Sequence, residues 1–391
     1  SRGLGDVYKR QIFICFYNMS DIDKMSTYSK KLLSNASFAM TAVLVIVFIV
    51  ILLIIFYVYT LSKTRKIKCK SLDINYPDTP VISSLQDSDY GMKFLLRDFY
   101  IKSSYNSCSI SNFKNNFVDI CALKNCIKQG VRCFDFEIYS LNDEPIISTS
   151  SIDDYHVKQT YNYITFKEVL KKLDSMAFSS SSPTQHDPLF IHLRIKSKNK
   201  IIYDKMAKDI SSYLDNRKLL SPKYSNEFNG KNLGNIPIKE LMGKYIIMID
   251  RSNPLYTETK LFEYVNIASK SLYLRGLRNY DVEYTNDHGE LIEYNKKNMT
   301  ISMPDLSSST DNVKSAIHFN YGCQFICMCY QNLDSNMEYV NKFFSDNNRA
   351  LVLKPEKLRH IPVTISQPDK QDPNLSYATR DIKADYYKFN I

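Results

Sequence analysis

Tryptophan is absent from this 391-residue chain and glycine occurs only 10 times. Beside 29 tyrosines, that shortage reads as an AT-rich coding bias and carries no mechanism. No internal repeat is present, which excludes architectures that stack one unit many times. No long low-complexity insert occurs either; the serines at 179–182 are loop-sized. The nine cysteines are scattered rather than set evenly in loops, so they give no disulfide framework. Cys323, Cys327 and Cys329 lie close together, but on an apolar strand-like run, CQFICMCY, that suits buried thiols better than zinc. This cysteine usage points to a reducing compartment. Finally, charge of either sign is missing from Leu32 to Ser62.

The centre of that uncharged stretch is AVLVIVFIVILLIIFYVY, Ala42 to Tyr59. About 20 apolar residues suffice for a helix to cross the hydrocarbon core. The run is too long and too pure for a buried soluble helix. It is also too long for a cleaved signal peptide, and no small-residue cleavage site follows it. A transmembrane helix is therefore expected over residues 38–61, with Tyr57, Tyr59 and Thr60 at the interface. Lys63, Arg65, Lys66, Lys68 and Lys70 follow the span, against Lys24, Lys30 and Lys31 before it. Positive-inside bias then places the C-terminal domain in the cytoplasm, with a short N-terminus outside. The opening SRGLGDVYKRQ reads as translated sequencing-adapter sequence, so residues 1–11 are set aside and Met19 or Met25 is taken as the start. The net charge of +10 favours anionic partners. With an anchor in the chain, the partner expected is an anionic membrane surface, not nucleic acid. Asn298-Met299-Thr300 is an N-glycosylation acceptor in an expected surface loop.

After the span, residues 62–90 read as a basic juxtamembrane segment and polar linker, 91–362 as one folded unit, and 363–391 as a polar, loosely ordered tail. Strands are expected at 100–103, 133–139, 145–148, 189–195, 245–249, 271–274, 323–330 and 350–353. Helical patterns lie between them at 116–129, 165–176, 202–216, 237–242 and 335–345. Thr165 with Glu168 three residues on predicts a capping box, and Gly130 a helix stop. Eight strands alternating with helices give a (β/α)8 barrel, distorted over 279–320.

Two segments carry a family resemblance. The first runs from Phe99 (FYIKSSYNSCSISNF…ALKNCIKQGVRCFDFEIYS) to about Ile195. The second is GCQFICMCYQNLDSNMEYVNKFFSDNNRALVLKPEKLR, Gly322 to Arg359. They resemble the X and Y catalytic halves of phosphoinositide-specific phospholipase C. The resemblance implies a phosphoric diester hydrolase barrel acting on phosphoinositides in lipid metabolism and signal transduction. Members of that family use two His and a Ca2+ held by an Asn and three carboxylates.

Carried over residue by residue, the pattern is broken. The first strand of the family ends in Ser-Ser-His-Asn; here it ends in Ser103-Ser104-Tyr105-Asn106, so the first catalytic His becomes Tyr105. Asn106 keeps the metal-binding Asn. The acid pair falls on Asp135 and Glu137, which share one face of a strand. The second His falls near 149–151 and is absent, His156 being the nearest. The third metal carboxylate falls on Arg194. The two lysines that grip ring phosphates fall on Met248 and Asp250, and the family's Arg near Ile301. A tyrosine with a pKa near 10 is a poor general base. An arginine among metal carboxylates repels Ca2+ and pairs with Asp135 or Glu137 instead. The expectation is a membrane-anchored phospholipase C-like scaffold without catalysis, without a required cofactor, and with Asn106, Asp135, Glu137 and Arg194 facing the substrate position. The alternative is an active phosphodiesterase with a rewired, metal-independent site using Arg194, His192, Asp135 and Glu137, with Tyr105, Arg194 and His192 as the catalytic candidates. A third reading is a Ca2+-binding, non-hydrolytic module using Asn106, Asp135 and Glu137.

Overall fold

Most of the uncharged run lies in one continuous helix, α1 (Ala36–Asn75), whose large apolar side chains from Met40 to Tyr59 are exposed. From Met40 onward it is long and apolar enough to cross a membrane. The computed structural model describes residues 36–76, 81–153, 157–362, 369–370, 372, 375 and 377–391. His156, the basic residues before the span and the proposed start therefore lie outside the described residues. Past the apolar stretch, α1 continues through the basic juxtamembrane residues into the first residues of the segment expected as linker. It stays helical to Asn75 and packs onto the domain that follows.

That domain is built on strands β1 (Phe99–Ser104), β2 (Cys133–Leu141), β3 (Glu144–Ser148), β4 (Ile164–Thr165), β5 (Leu189–Ile195), β6 (Tyr245–Asp250), β7 (Ile267–Ser269), β8 (Leu274–Arg278), β9 (Met299–Met303), β10 (Phe325–Met328) and β11 (Leu351–Leu353). Eight of them form a parallel ladder in the order β7-β6-β5-β2-β1-β10-β9-β8, which wraps into a barrel with one seam between β7 and β8. The (β/α)8 architecture is as expected, but its membership differs. The 145–148 segment (β3) folds back antiparallel on β2, and the 350–353 segment (β11) runs antiparallel to β1. Their places in the ladder are taken by β7 and β9. The strand expected at 271–274 begins at Leu274 as β8.

Right-handed helices pack around the ladder or on its loops, among them α2 (Ile120–Lys128), α3 (Phe166–Met176), α4 (Lys200–Tyr213), α5 (His288–Lys297), α6 (Ser315–Asn320) and α7 (Ser335–Asp346). At the start of α3 the Glu168 carboxylate accepts from Thr165 N at 2.9 Å, as the capping box requires. Gly130, just past α2, has φ +71°, the left-handed stop that glycine adopts without strain. The tail is not featureless: β12 (Asp381–Ala384) and β13 (Tyr387–Asn390) form an exposed hairpin.

Strand alternation divides the core into two layers. Phe134, Phe136 and Ile138 of β2 face outward and pack with helix residues such as Leu123, Phe166 and Leu170. Cys133, Phe190, Ile246, Met248, Ile301, Phe325 and Cys327 fill the barrel interior, with Phe190 and Phe325 edge to face at 5.1 Å. That apolar interior seals the barrel beneath the C-terminal strand ends, where barrels of this kind carry their sites. Asn298 and Thr300 are not in a surface loop. Asn298 is half-buried and accepts from Asn232 Nδ2 at 3.0 Å, while Thr300 is buried in β9.

Candidate active site

At the mouth of the barrel the buried guanidinium of Arg194, on β5, ties β2 to the turn that follows β1. Parallel pairing of β2 with β5 sets Asp135 opposite His192 and Glu137 opposite Arg194. All four side chains point inward and are at most 1 % exposed. Arg194 donates from Nε to Asp135 Oδ1 (2.8 Å), from Nη2 to Asp135 Oδ2 (2.7 Å), and from Nη1 to Glu137 Oε1 (2.5 Å). Its Nη2 also reaches Asn106 Oδ1 at 2.9 Å. Asn106 can turn toward it because its backbone adopts φ 43°, a left-handed conformation that Asn tolerates better than most residues. Both carboxylates accept further bonds: Asp135 Oδ2 from Asn106 N (3.1 Å), and Glu137 Oε2 from Ser150 N (2.9 Å) and the Tyr139 hydroxyl (3.1 Å). Burial alone would lift the Asp135 carboxyl, but Arg194 and His192 outweigh it and hold it well below the usual range. Burial likewise opposes the charge on Arg194, and Asp135, Tyr105 and Glu137 together keep it protonated.

The ring of Tyr105 lies over this network. Its centroid is 4.6 Å from the Arg194 guanidinium carbon, a cation–π contact, and 5.4 Å from the Phe113 ring. Burial pushes the Tyr105 hydroxyl up, against the opposing pull of Arg194 and Arg278, so it remains a phenol at neutral pH. It accepts from Arg278 Nη1 at 3.1 Å.

His192 is held at both ring nitrogens, by Asp135 Oδ1 (2.8 Å) and by Ser269 Oγ (2.9 Å). Ser269 closes β7, a three-residue strand too short to show in the sequence pattern. Residues 149–151, expected where a second His would stand, supply hydroxyls and backbone. Thr149 Oγ1 donates to Phe113 O at 3.0 Å, and Ser150 N caps Glu137. Met248 is buried in the barrel interior, Asp250 pairs with Lys270 at 3.4 Å, and Ile301 is in the apolar interior.

Sequence reasoning missed the cations of the mouth. Lys196 follows β5, Lys270 follows β7 and Arg278 ends β8. Lys196 pairs with Asp153, and Lys270 donates to Ser252 Oγ at 2.6 Å. Lys196 first among the charges, then Arg278 and Lys270, draw the Asp153 carboxyl down against the effect of burial, so all three act on one place. The signal that could have found them is their position directly after strand ends, which needs β7 and β8 to be located first. Asn106 Nδ2, buried at the same mouth, has no hydrogen-bond partner among the described residues.

Asn106, Asp135 and Glu137 are the residues that would hold a Ca2+. Their inward oxygens already accept from a fixed guanidinium that occupies the space between them. A divalent cation there would face a permanent positive charge at contact distance, so this donor set does not fit the metal.

Residues 92–251 match the family model "Phosphatidylinositol-specific phospholipase C, X domain". Among curated proteins nothing matches. The fold resembles the crystal structure of PLC21 from L. pealei, with a TM-score of 0.57 and 17 % identity, over 69 % of this chain and 38 % of that one. PLC21 from S. officinalis gives the same TM-score and identity, over 78 % of this chain and 41 % of that one. A calcium-dependent phosphoinositol-specific phospholipase C from the Gram-negative bacterium Pseudomonas sp. aligns with a TM-score of 0.41 and 8 % identity, over 67 % and 98 % of the two chains. This chain thus spans about two fifths of the PLC21 structures it resembles.

Proposed function

We propose that this chain, whose residues 92–251 match the family model of the phosphatidylinositol-specific phospholipase C X domain, is a membrane-tethered phospholipase C-like barrel that binds anionic phospholipid headgroups without hydrolysing them. One observation carries the reading: Arg194 fills the space between Asn106, Asp135 and Glu137 and satisfies their inward oxygens. The reaction needs a base on the inositol 2-hydroxyl and an acid on the leaving oxygen. Tyr105 is a phenol engaged with Arg278, and residues 149–151 offer no imidazole. What remains is charge without proton transfer. Lys196, Lys270 and Arg278 ring the mouth, and the free Asn106 Nδ2 offers a donor to a phosphate oxygen. α1 supplies the tether, residues 38–61 the span, and 91–362 the binding unit. Positive-inside bias, five basic residues after the span against three before it, favours a cytoplasmic barrel.

The alternative is a metal-independent phosphodiesterase. It is favoured by the Asp135–His192–Ser269 chain, in which an oriented imidazole lies beside a buried guanidinium. Turnover by full-length protein in lipid nanodiscs separates the two readings. With phosphatidylinositol or its bisphosphate, and with Ca2+ or a chelator, no inositol phosphate should appear. Soluble inositol phosphates should bind, and Arg278→Ala or Lys270→Ala should weaken that binding about tenfold each, the loss of one charge-assisted contact. Release of inositol phosphate that disappears in His192→Ala would overturn the scaffold reading in favour of the enzyme.

A further inference from the structure

The contacts between α1 and the barrel point to a compartment that charge bias does not. Cys69 of α1 and Cys121 in the first turn of α2 are joined by a disulfide, with their Cα atoms 5.8 Å apart. This pair departs from the reading of the cysteines as scattered thiols without a disulfide framework. The bond is one of several contacts on a single helical stripe. Residues 65, 69, 72 and 76 recur at spacings of four, three and four, so they share one face of α1. Arg65 pairs with Asp119 at 2.5 Å. Asp119 in turn caps α2, accepting from Cys121 N at 2.8 Å. Leu72 packs against Ile110 and Ala122. The Tyr76 hydroxyl, just past the helix, donates to Tyr330 O at 2.9 Å.

The remaining thiols sort by exposure. Cys108, Cys126, Cys133, Cys323, Cys327 and Cys329 are free and fully buried. Cys69 and Cys121 are only half-buried, and they are the two that pair. Among the described residues no free thiol is left within reach of solvent. A cytosolic chain has no such need, because its surface thiols stay reduced; an oxidising compartment penalises any that are left unpaired. The competing charge signal is narrow, five basic residues against three.

We propose that Cys69–Cys121 forms in the cell as a covalent clasp between the membrane helix and the barrel, and that the barrel folds on the oxidising, non-cytosolic face of its membrane. The step balances as thiol–disulfide exchange: the two thiols lose two protons and two electrons to a protein disulfide of the folding compartment, which leaves as a dithiol. The clasp holds the barrel mouth at a fixed attitude to the leaflet it is tethered to. The inference is independent of whether the barrel hydrolyses lipid.

The test uses the full chain expressed in a eukaryotic cell. Sealed microsomes are quenched with N-ethylmaleimide and the cysteine peptides mapped by mass spectrometry, with and without reductant. Cys69 and Cys121 should be recovered as one cross-linked peptide that takes up two labels only after reduction. In Cys121→Ser, Cys69 should label without reductant. Protease added to the sealed microsomes should leave the barrel intact until detergent is added. The proposal is overturned by direct labelling of both cysteines, or by digestion of the barrel in sealed microsomes. It is equally overturned if a zinc chelator alone frees the thiols, since Cys69, Cys121 and Asp119 also have the spacing of a metal-ligand set.

Discussion

Replacing Arg194 by glutamine removes the one positive charge among two buried carboxylates. Asp135 and Glu137 are 0 % and 1 % exposed, so water cannot take over the role of the guanidinium. Breaking a buried ion pair by removing one partner costs about 3–5 kcal/mol, because the other charge is left uncompensated. For a domain of this size that corresponds to a fall in Tm of about 10 °C. The pH dependence is diagnostic. In the native protein the Asp135 carboxyl is held below its unfolded value, so its contribution is complete above about pH 4 and is lost only as the pH falls further. Without Arg194 only His192 opposes the effect of burial, and the folded-state carboxyl is expected to rise above its unfolded value. The variant should then gain stability as the pH falls from 8 to 5. Thermal unfolding in nanodiscs at pH 8 and pH 5 measures this, and the gap to the native protein should narrow at pH 5. Arg194→Glu adds a second arm: it completes an oxygen cage, so millimolar Ca2+ should raise its Tm while leaving that of the native protein unmoved. If Arg194→Gln melts within 1 °C of the native protein at both pH values, or if Ca2+ stabilises the native protein and Asp135→Asn abolishes the effect, the guanidinium does not organise this site.

Lys102 tests burial in a different place. Its ammonium lies 5.9 Å from the centre of the Phe344 ring, with no carboxylate in ion-pair distance among the described residues, and burial lowers it to about 7. The folded state therefore binds fewer protons than the unfolded one between pH 7 and about 10.4, so stability should rise across that window, and Lys102→Met should raise Tm at pH 7 and flatten the rise. Cys121→Ser should cost about 2–4 kcal/mol under non-reducing conditions and much less in excess dithiothreitol, read from denaturant midpoints. Tyr105→His should restore no lipid turnover, because residues 149–151 still lack the second imidazole and Arg194 still fills the metal position; inositol phosphate release by this single variant would show that the mouth retains catalytic competence.

Local order was written plainly in the chain. The uncharged run fixed α1, because composition over 20 residues decides whether a helix can sit in hydrocarbon. The alternation in CFDFEIYS put Asp135 and Glu137 on one face and Phe134, Phe136 and Ile138 on the other, as observed. Thr165 with Glu168, and Gly130, marked helix ends through bonds spanning three or four residues. What needed the tertiary structure was every partner distant in sequence. Alternation assigns Arg194 to a face but not to a register, and only the pairing of β2 with β5 sets it opposite Glu137. β7 has three residues and β9 five, too few for a period to emerge, so Ser269 and the cations after β7 and β8 stayed hidden with them. Cys69 and Cys121 read as unrelated thiols because 52 residues separate them, and a disulfide depends on distance in space. Periodicity and composition act within a few turns of chain, whereas barrel closure brings together residues that no local pattern relates.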